Sequence, residues 1–136
     1  MKQASGTFDV ALAPQPIENV GDDAMMARRS IEKTFHGALS GTSRGQMLSI
    51  GTSTPGSAVY VAVERVEATL DGKRGAFSLH HTGIMNRGTP TLTITVVPDS
   101  GTAGLTDITG TMTIDIRDRK HYYTFDYDLS GAASAQ

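Results

Sequence analysis

Glu64 and His81 are the pair whose types and placing could do chemistry, each set among apolar neighbours on an alternating run. The two runs span Ser57 to Ile84 and meet at Asp71-Gly72, a pair that predicts a two-residue type I′ turn because both central positions take positive φ. Counting back from the turn sets Leu70 opposite Lys73, Val66 opposite Phe77, Glu64 opposite Leu79 and Ala62 opposite His81, all on one face. Glu64 and His81 are then diagonal neighbours, about 7–8 Å apart between backbones and within side-chain reach. A carboxylate beside an imidazole fixes its tautomer and tunes a general base near neutral pH, so these two are the candidate catalytic residues. Lys33, Tyr60, Phe77, Tyr123 and Tyr127 fall on the same face as candidate ligand-binding residues. An ammonium would polarise a carbonyl or hold an anion, hydroxyls would orient a polar group, and the small Ala62, Gly83 and Gly37 leave room for a guest. A bland reading competes. An unpaired buried charge costs several kcal/mol, so Lys33 and Glu64 also read as a satisfied pair, with His81 bonded to backbone and the tyrosines packing the wall.

The elements that must position these groups are strands. Fifteen glycines, no tryptophan and apolar residues at every second position describe an all-β chain. Phe8, Val10 and Leu12 alternate in a first strand ended by Pro14 and Pro16. Residues 14–27 form a long connection in which Asp22 to Ala27 suits one helical turn, read either as a lid or as Met25 and Met26 packing over one end of the core. Ile31, Lys33, Phe35, Gly37 and Leu39 share a face of the second strand, which is expected to turn at about Gly41-Thr42 into a third bearing Gln46, Leu48 and Ile50. The Ser57–Ile84 hairpin supplies two more strands, and Leu92, Ile94 and Val96 a sixth. A turn at Pro98 to Gly101 leads to Ile108, Gly110, Met112, Ile114 and Ile116, and a tight turn at Arg117 to Lys120 sets Ile114 opposite Tyr123, Met112 opposite Phe125 and Gly110 opposite Tyr127. Eight antiparallel strands, each with one apolar face, make a closed barrel, because closure removes the sheet edges. Phe35, Leu48, Val66, Phe77, Leu79, Ile94, Ile114 and Phe125 are expected inside. His36, His80, Tyr122 and Arg65 take the opposite phase, which suits the surface or a contact between copies of the chain.

Length and composition exclude more than they specify. The chain of 136 residues is one domain, long enough to bury about two-thirds of its unfolded surface, with a disordered tail expected over 132–136. A net charge of −2, with its 12 basic residues dispersed, leaves no footprint for nucleic acid. No cysteine is present, so disulfides, thiolate metal sites and a cysteine nucleophile are excluded. The four histidines have no metal-site spacing, and His80-His81 cannot chelate because strand neighbours point apart. No apolar run nears the roughly 20 residues that span a bilayer, and no basic start precedes an apolar stretch, so a soluble cytoplasmic protein without membrane contact is expected. Ser100 to Gly104 reads as a turn rather than a phosphate cradle, no serine sits in a nucleophile elbow, and no cofactor is implied.

Several stretches also carry a resemblance. Phe35 to Ser43, Tyr60 to Arg65, Phe77 to Gly83, Val97 to Thr102 and His121 to Phe125 resemble the bacterial family called domain of unknown function 3224, over about residues 3–129 and in order. The resemblance implies a closed eight-stranded antiparallel barrel similar to the allene oxide cyclase fold, with an interior cavity and no established activity. Lys33, Glu64 and His81 match polar positions of its motif, whereas Ala68 and Asp107 stand where it leads one to expect glycine. Barrels host many functions, so the fold alone assigns none. Together the residues point to a barrel enclosing a small, largely apolar molecule, either as a cofactor-independent acid–base isomerase or cyclase or as a carrier or sensor without chemistry.

Overall fold

The computed structural model describes residues 1–21 and 25–129. Its strands are β1 (Lys2–Gln15), β2 (Met26–Gly37), β3 (Leu39–Gly51), β4 (Ala58–Leu70), β5 (Lys73–Asn86), β6 (Thr89–Val96), the two-residue β7 (Thr102–Ala103), β8 (Thr109–Arg117) and β9 (Lys120–Asp128). Each pairs antiparallel with its neighbours in the ring β1-β2-β3-β4-β5-β6-β8-β9, and β9 returns to β1. The result is a closed eight-stranded barrel, with β7 an annex on Gly75 and Ala76. Among the described residues no helix is long and apolar enough to cross a membrane.

Local turn chemistry sets the register. Asp71 and Gly72 both take positive φ, 48° and 86°, as a type I′ turn demands, and the pairs Val66↔Phe77, Glu64↔Leu79 and Ala62↔His81 follow. Arg87-Gly88 and Asp118-Arg119 repeat the device between β5 and β6 and between β8 and β9.

The turn between β2 and β3 differs from expectation. It lies at Gly37-Ala38, with Gly37 at φ 111°, and sets Phe35 opposite Gly41. A two-residue turn at Gly41-Thr42 would have placed odd positions of β2 opposite even ones of β3. A shift of that parity sends every side chain to the other face. Gly41, Ser43, Gly45 and Met47 therefore face inward, while Leu48 faces out, 46% exposed.

Two other expectations are corrected. β1 runs through Pro14 to Gln15 and pairs there with Arg28, and Met26 and Ala27 already belong to β2. The long connection is thus shorter than read, and Met25 and Met26 are 55% and 42% exposed rather than packed on the core. The Asp22–Ala24 part of the expected helical turn, and the 132–136 tail, lie outside the described residues. The Ser100–Gly104 turn also contributes β7.

The two ends of the barrel differ. At the end that carries the Asp71-Gly72 turn, Leu39, Leu70, Leu105 and Ile108 close the interior, each at most 1% exposed. At the other end closure is partial. β6 meets β8 only at Ile94↔Met112 and Thr95↔Thr111, and β1 parts from β9 after Phe8↔His121. Beyond those pairs β1 and β6 run on with a strand on one side only, and the sheet opens into a trough.

Candidate functional site

Four consecutive strands each bring one polar side chain to the middle of the barrel: Lys33 from β2, Ser43 from β3, Glu64 from β4 and His81 from β5. All four are buried. Lys33 Nζ donates to Glu64 Oε2 at 2.9 Å, Ser43 Oγ donates to Glu64 Oε1 at 2.6 Å, and His81 Nε2 lies 2.5 Å from Glu64 Oε2. Gly45 makes the reach across β3 feasible. It stands opposite Glu64, and a Cβ there would lie 2.7 Å from Glu64 Cβ and 2.1 Å from the Val63 carbonyl oxygen. The Lys33 ammonium also lies 5.0 Å from the centre of the Phe8 ring and 5.8 Å from that of Phe35, so its faces are covered by π-systems.

Burial by itself would push the Glu64 carboxyl up; the His81 hydrogen bond, the Lys33 charge and the Ser43 hydroxyl outweigh it and hold the group down at about 2. Glu64 is therefore a carboxylate near neutral pH, able only to accept hydrogen bonds. The proton in the His81 bond must then sit on Nε2. Among the described residues no buried side-chain nitrogen or oxygen lacks a partner, and His81 bonds through Nε2.

Tyr60 stands on the open side of this cluster, half-buried, its ring 6.5 Å from that of His81 between centroids. Burial and then the Glu64 charge push its phenol up, so the hydroxyl keeps its proton. Tyr60 also lines a cavity of about 360 Å³ in the trough, whose wall includes Met47, Ser49, Ala58, Gly83 and Leu92. Among the described residues no charged side chain lines that wall. The space above Gly83 is not vacant: a Cβ there would lie 2.1 Å from the Tyr60 ring, so the tyrosine covers its cross-strand glycine.

The remaining sequence candidates lie apart from the cavity. Phe77 stacks on Phe125 at 5.6 Å in the sealed half, and Phe125 in turn on Tyr127 at 5.4 Å. The Tyr123 hydroxyl accepts from Leu39 N–H at 2.9 Å and lies 3.0 Å from the carbonyl oxygens of His36 and Leu39, to one of which it donates. It ties the β2–β3 turn and fills the space above Gly37. Tyr127 donates to the Asp71 carboxylate at the β4–β5 turn; burial and then that carboxylate push its phenol up to about 12. The structure thus brings together Lys33, Glu64, His81 and Tyr60, and seats Phe77, Tyr123 and Tyr127 elsewhere. Sequence reading missed Ser43 and Gly45, whose signal is the run of small residues at every second place, Gly41, Ser43 and Gly45. Among the described residues no three His, Cys, Asp or Glu side chains gather where they could hold a metal ion.

Residues 4–127 match the family described as protein of unknown function, DUF3224. The chain belongs to the DUF3224 family. A crystal structure of a DUF3224 protein with unknown function from Shewanella oneidensis MR-1 is similar to it, with 42% sequence identity over 94% of this chain and 96% of that chain and a TM-score of 0.90. Comparison with curated proteins finds no match. Membership settles the barrel and leaves its activity open. The two positions at which the resemblance leads one to expect glycine are accommodated locally. Asp107 takes φ 69°, a left-handed conformation aspartate tolerates better than most residues. Ala68 is buried opposite Gly41, where its methyl leaves no place for a second Cβ.

Proposed function

We propose that the open end of the barrel binds a small, largely apolar organic molecule, with Tyr60 and His81 at its polar end. One observation carries this reading: an apolar cavity of about 360 Å³ that opens to solvent is lined by Tyr60, whose ring stands 6.5 Å from that of His81 in the buried ionic cluster. That volume suits a small ligand, and the mixture of an apolar wall with a few convergent polar groups is the ordinary make-up of such sites. If chemistry occurs, the division of labour follows from the hydrogen bonds. Glu64 already accepts from three donors and is held at about 2, which makes it a poor base near pH 7. It positions His81 and stabilises the charged ring once His81 takes a proton through Nδ1, as in a cofactor-independent isomerase or cyclase. A likeness to the allene oxide cyclase barrel, which the family resemblance implies, would add nothing to that step, since fold does not carry function.

A carrier without chemistry is the second reading, favoured by the complete satisfaction of Lys33 and Glu64 inside the protein. Native mass spectrometry of the protein purified from its own cells, followed by long incubation, separates the two. For an enzyme the bound molecule changes with time, and Glu64→Gln slows the change by about 10²–10⁴-fold with little effect on binding. A ligand that stays unchanged in wild type and variant leaves only the carrier. Protein that emerges empty and retains no apolar probe refutes both.

A further inference from the structure

The outer wall of the barrel is not uniform. Among the described residues thirteen large hydrophobic side chains are exposed, and six of them, Leu48, Ile50, Val59, Val61, Val63 and Ile84, share one stretch of wall. The register gathers them. Ile50↔Val59↔Ile84, Leu48↔Val61↔Thr82 and Gln46↔Val63↔His80 form three successive outward rows across β3, β4 and β5. The rows run on into β6 at Thr91, Thr93 and Thr95, and none of these positions holds Lys, Arg, Asp or Glu. Charge returns in the next row, where Arg44 stands opposite Arg65. Toward the open end the patch continues into a groove of about 480 Å³ flanked by Ile17, Val20 and Met26.

We propose that a second copy of this chain docks on this face, the two β4 strands meeting about a two-fold axis near Val61 and Val63. Area and chemistry choose this occupant. The six aliphatic side chains are 38–58% exposed, which leaves on the order of 500 Å² uncovered, the size at which an apolar patch marks an interaction surface. Two such patches face to face remove about 1,000 Å², the least that a specific interface needs, and Gln46, His80, Thr82 and the groove add to it. Near a two-fold axis each side chain meets its own copy, so a charge there would repel itself, and the centre of this patch has none. A lipid surface calls instead for basic residues and aromatic anchors; the three rows hold no Lys, Arg, Phe, Tyr or Trp.

Sedimentation velocity of the full chain between about 1 and 300 µM tests this. The expected result is a monomer–dimer equilibrium within that range, weakened roughly tenfold or more by Val63→Lys and untouched by Thr113→Lys, an exposed position on β8 away from the patch. An equal mixture of Val63→Lys and Val63→Glu should dimerise where neither variant does alone, because the two-fold then pairs opposite charges. Val61→Thr keeps the β-branched shape of the side chain, weakens the dimer severalfold and serves if Val63→Lys does not fold. A chain that stays monomeric to the top of the range overturns the proposal, as does a dimer indifferent to both Val63→Lys and Val61→Thr. A mixture that stays monomeric overturns the two-fold, and a monomer that co-sediments with phosphatidylcholine vesicles makes the face a lipid-binding one.

Discussion

The two halves of this barrel are built from the same strands and solve opposite problems. Below the polar cluster, Phe77, Phe125 and Tyr127 stack, Leu39 and Leu70 are sealed, and two tyrosine hydroxyls pin two turns. Above it, inward-facing Leu92 is 41% exposed, and the wall surrounds a cavity instead of a core. The contrast shows how a small barrel keeps an opening. Packing and hydrogen bonds concentrated in one half hold the strands, and the other half is left free to be shaped by what it meets.

The largest expected break falls in the sealed half. Phe77→Ala removes a ring from the aromatic stack and should lower stability by about 3–5 kcal/mol in urea unfolding, while the protein that remains folded keeps its affinity for an apolar probe. Loss of binding in proportion to stability would mean that the halves are one unit.

Lys33→Met comes next. It strands the Glu64 carboxylate in the interior and should cost about 3–5 kcal/mol at neutral pH. The cost should shrink on acidification, because a protonated Glu64 needs no counter-charge. Unfolding at several pH values checks both points.

The acid dependence of the wild type is somewhat smaller. Unfolded chains take up a proton at Glu64 through its ordinary 4.5, and the native carboxylate not until about 2. The contribution is present in full above 4.5 and is lost as pH falls toward 2, amounting to about 3 kcal/mol. Glu64→Gln should flatten this part of the stability profile; an unchanged slope would assign it to other carboxylates.

The smallest effect is Leu92→Ala in the open half. An exposed position should change stability by under about 1 kcal/mol, yet weaken binding of an apolar probe measurably. The reverse pattern would place the ligand elsewhere.

The sealed half and the Glu64–His81 pair were legible because Asp71-Gly72 admits one common turn geometry, and one turn fixes the parity of two strands. Ser43 was hidden by the same logic. Moving the β2–β3 turn from Gly37-Ala38 to Gly41-Thr42 reversed the faces of β3, and the apolar alternation of Leu48 and Ile50 on the outer face supported the wrong choice. The roles of Tyr123 and Tyr127 depend on which turn each hydroxyl meets after the barrel closes, 84 and 56 residues away in sequence. No local pattern encodes that encounter.

The incomplete seams of β1 and β6 have a consequence for the protein in a crowded solution. A strand with a bare flank is a template on which another chain can add itself, the first step toward fibrous assembly. Both flanks carry an imino acid within the bare stretch, Pro14 in β1 and Pro90 in β6, and proline offers no N–H to a docking strand. The trough can stay open because β1 and β6, at its rim, are poor partners for any other backbone.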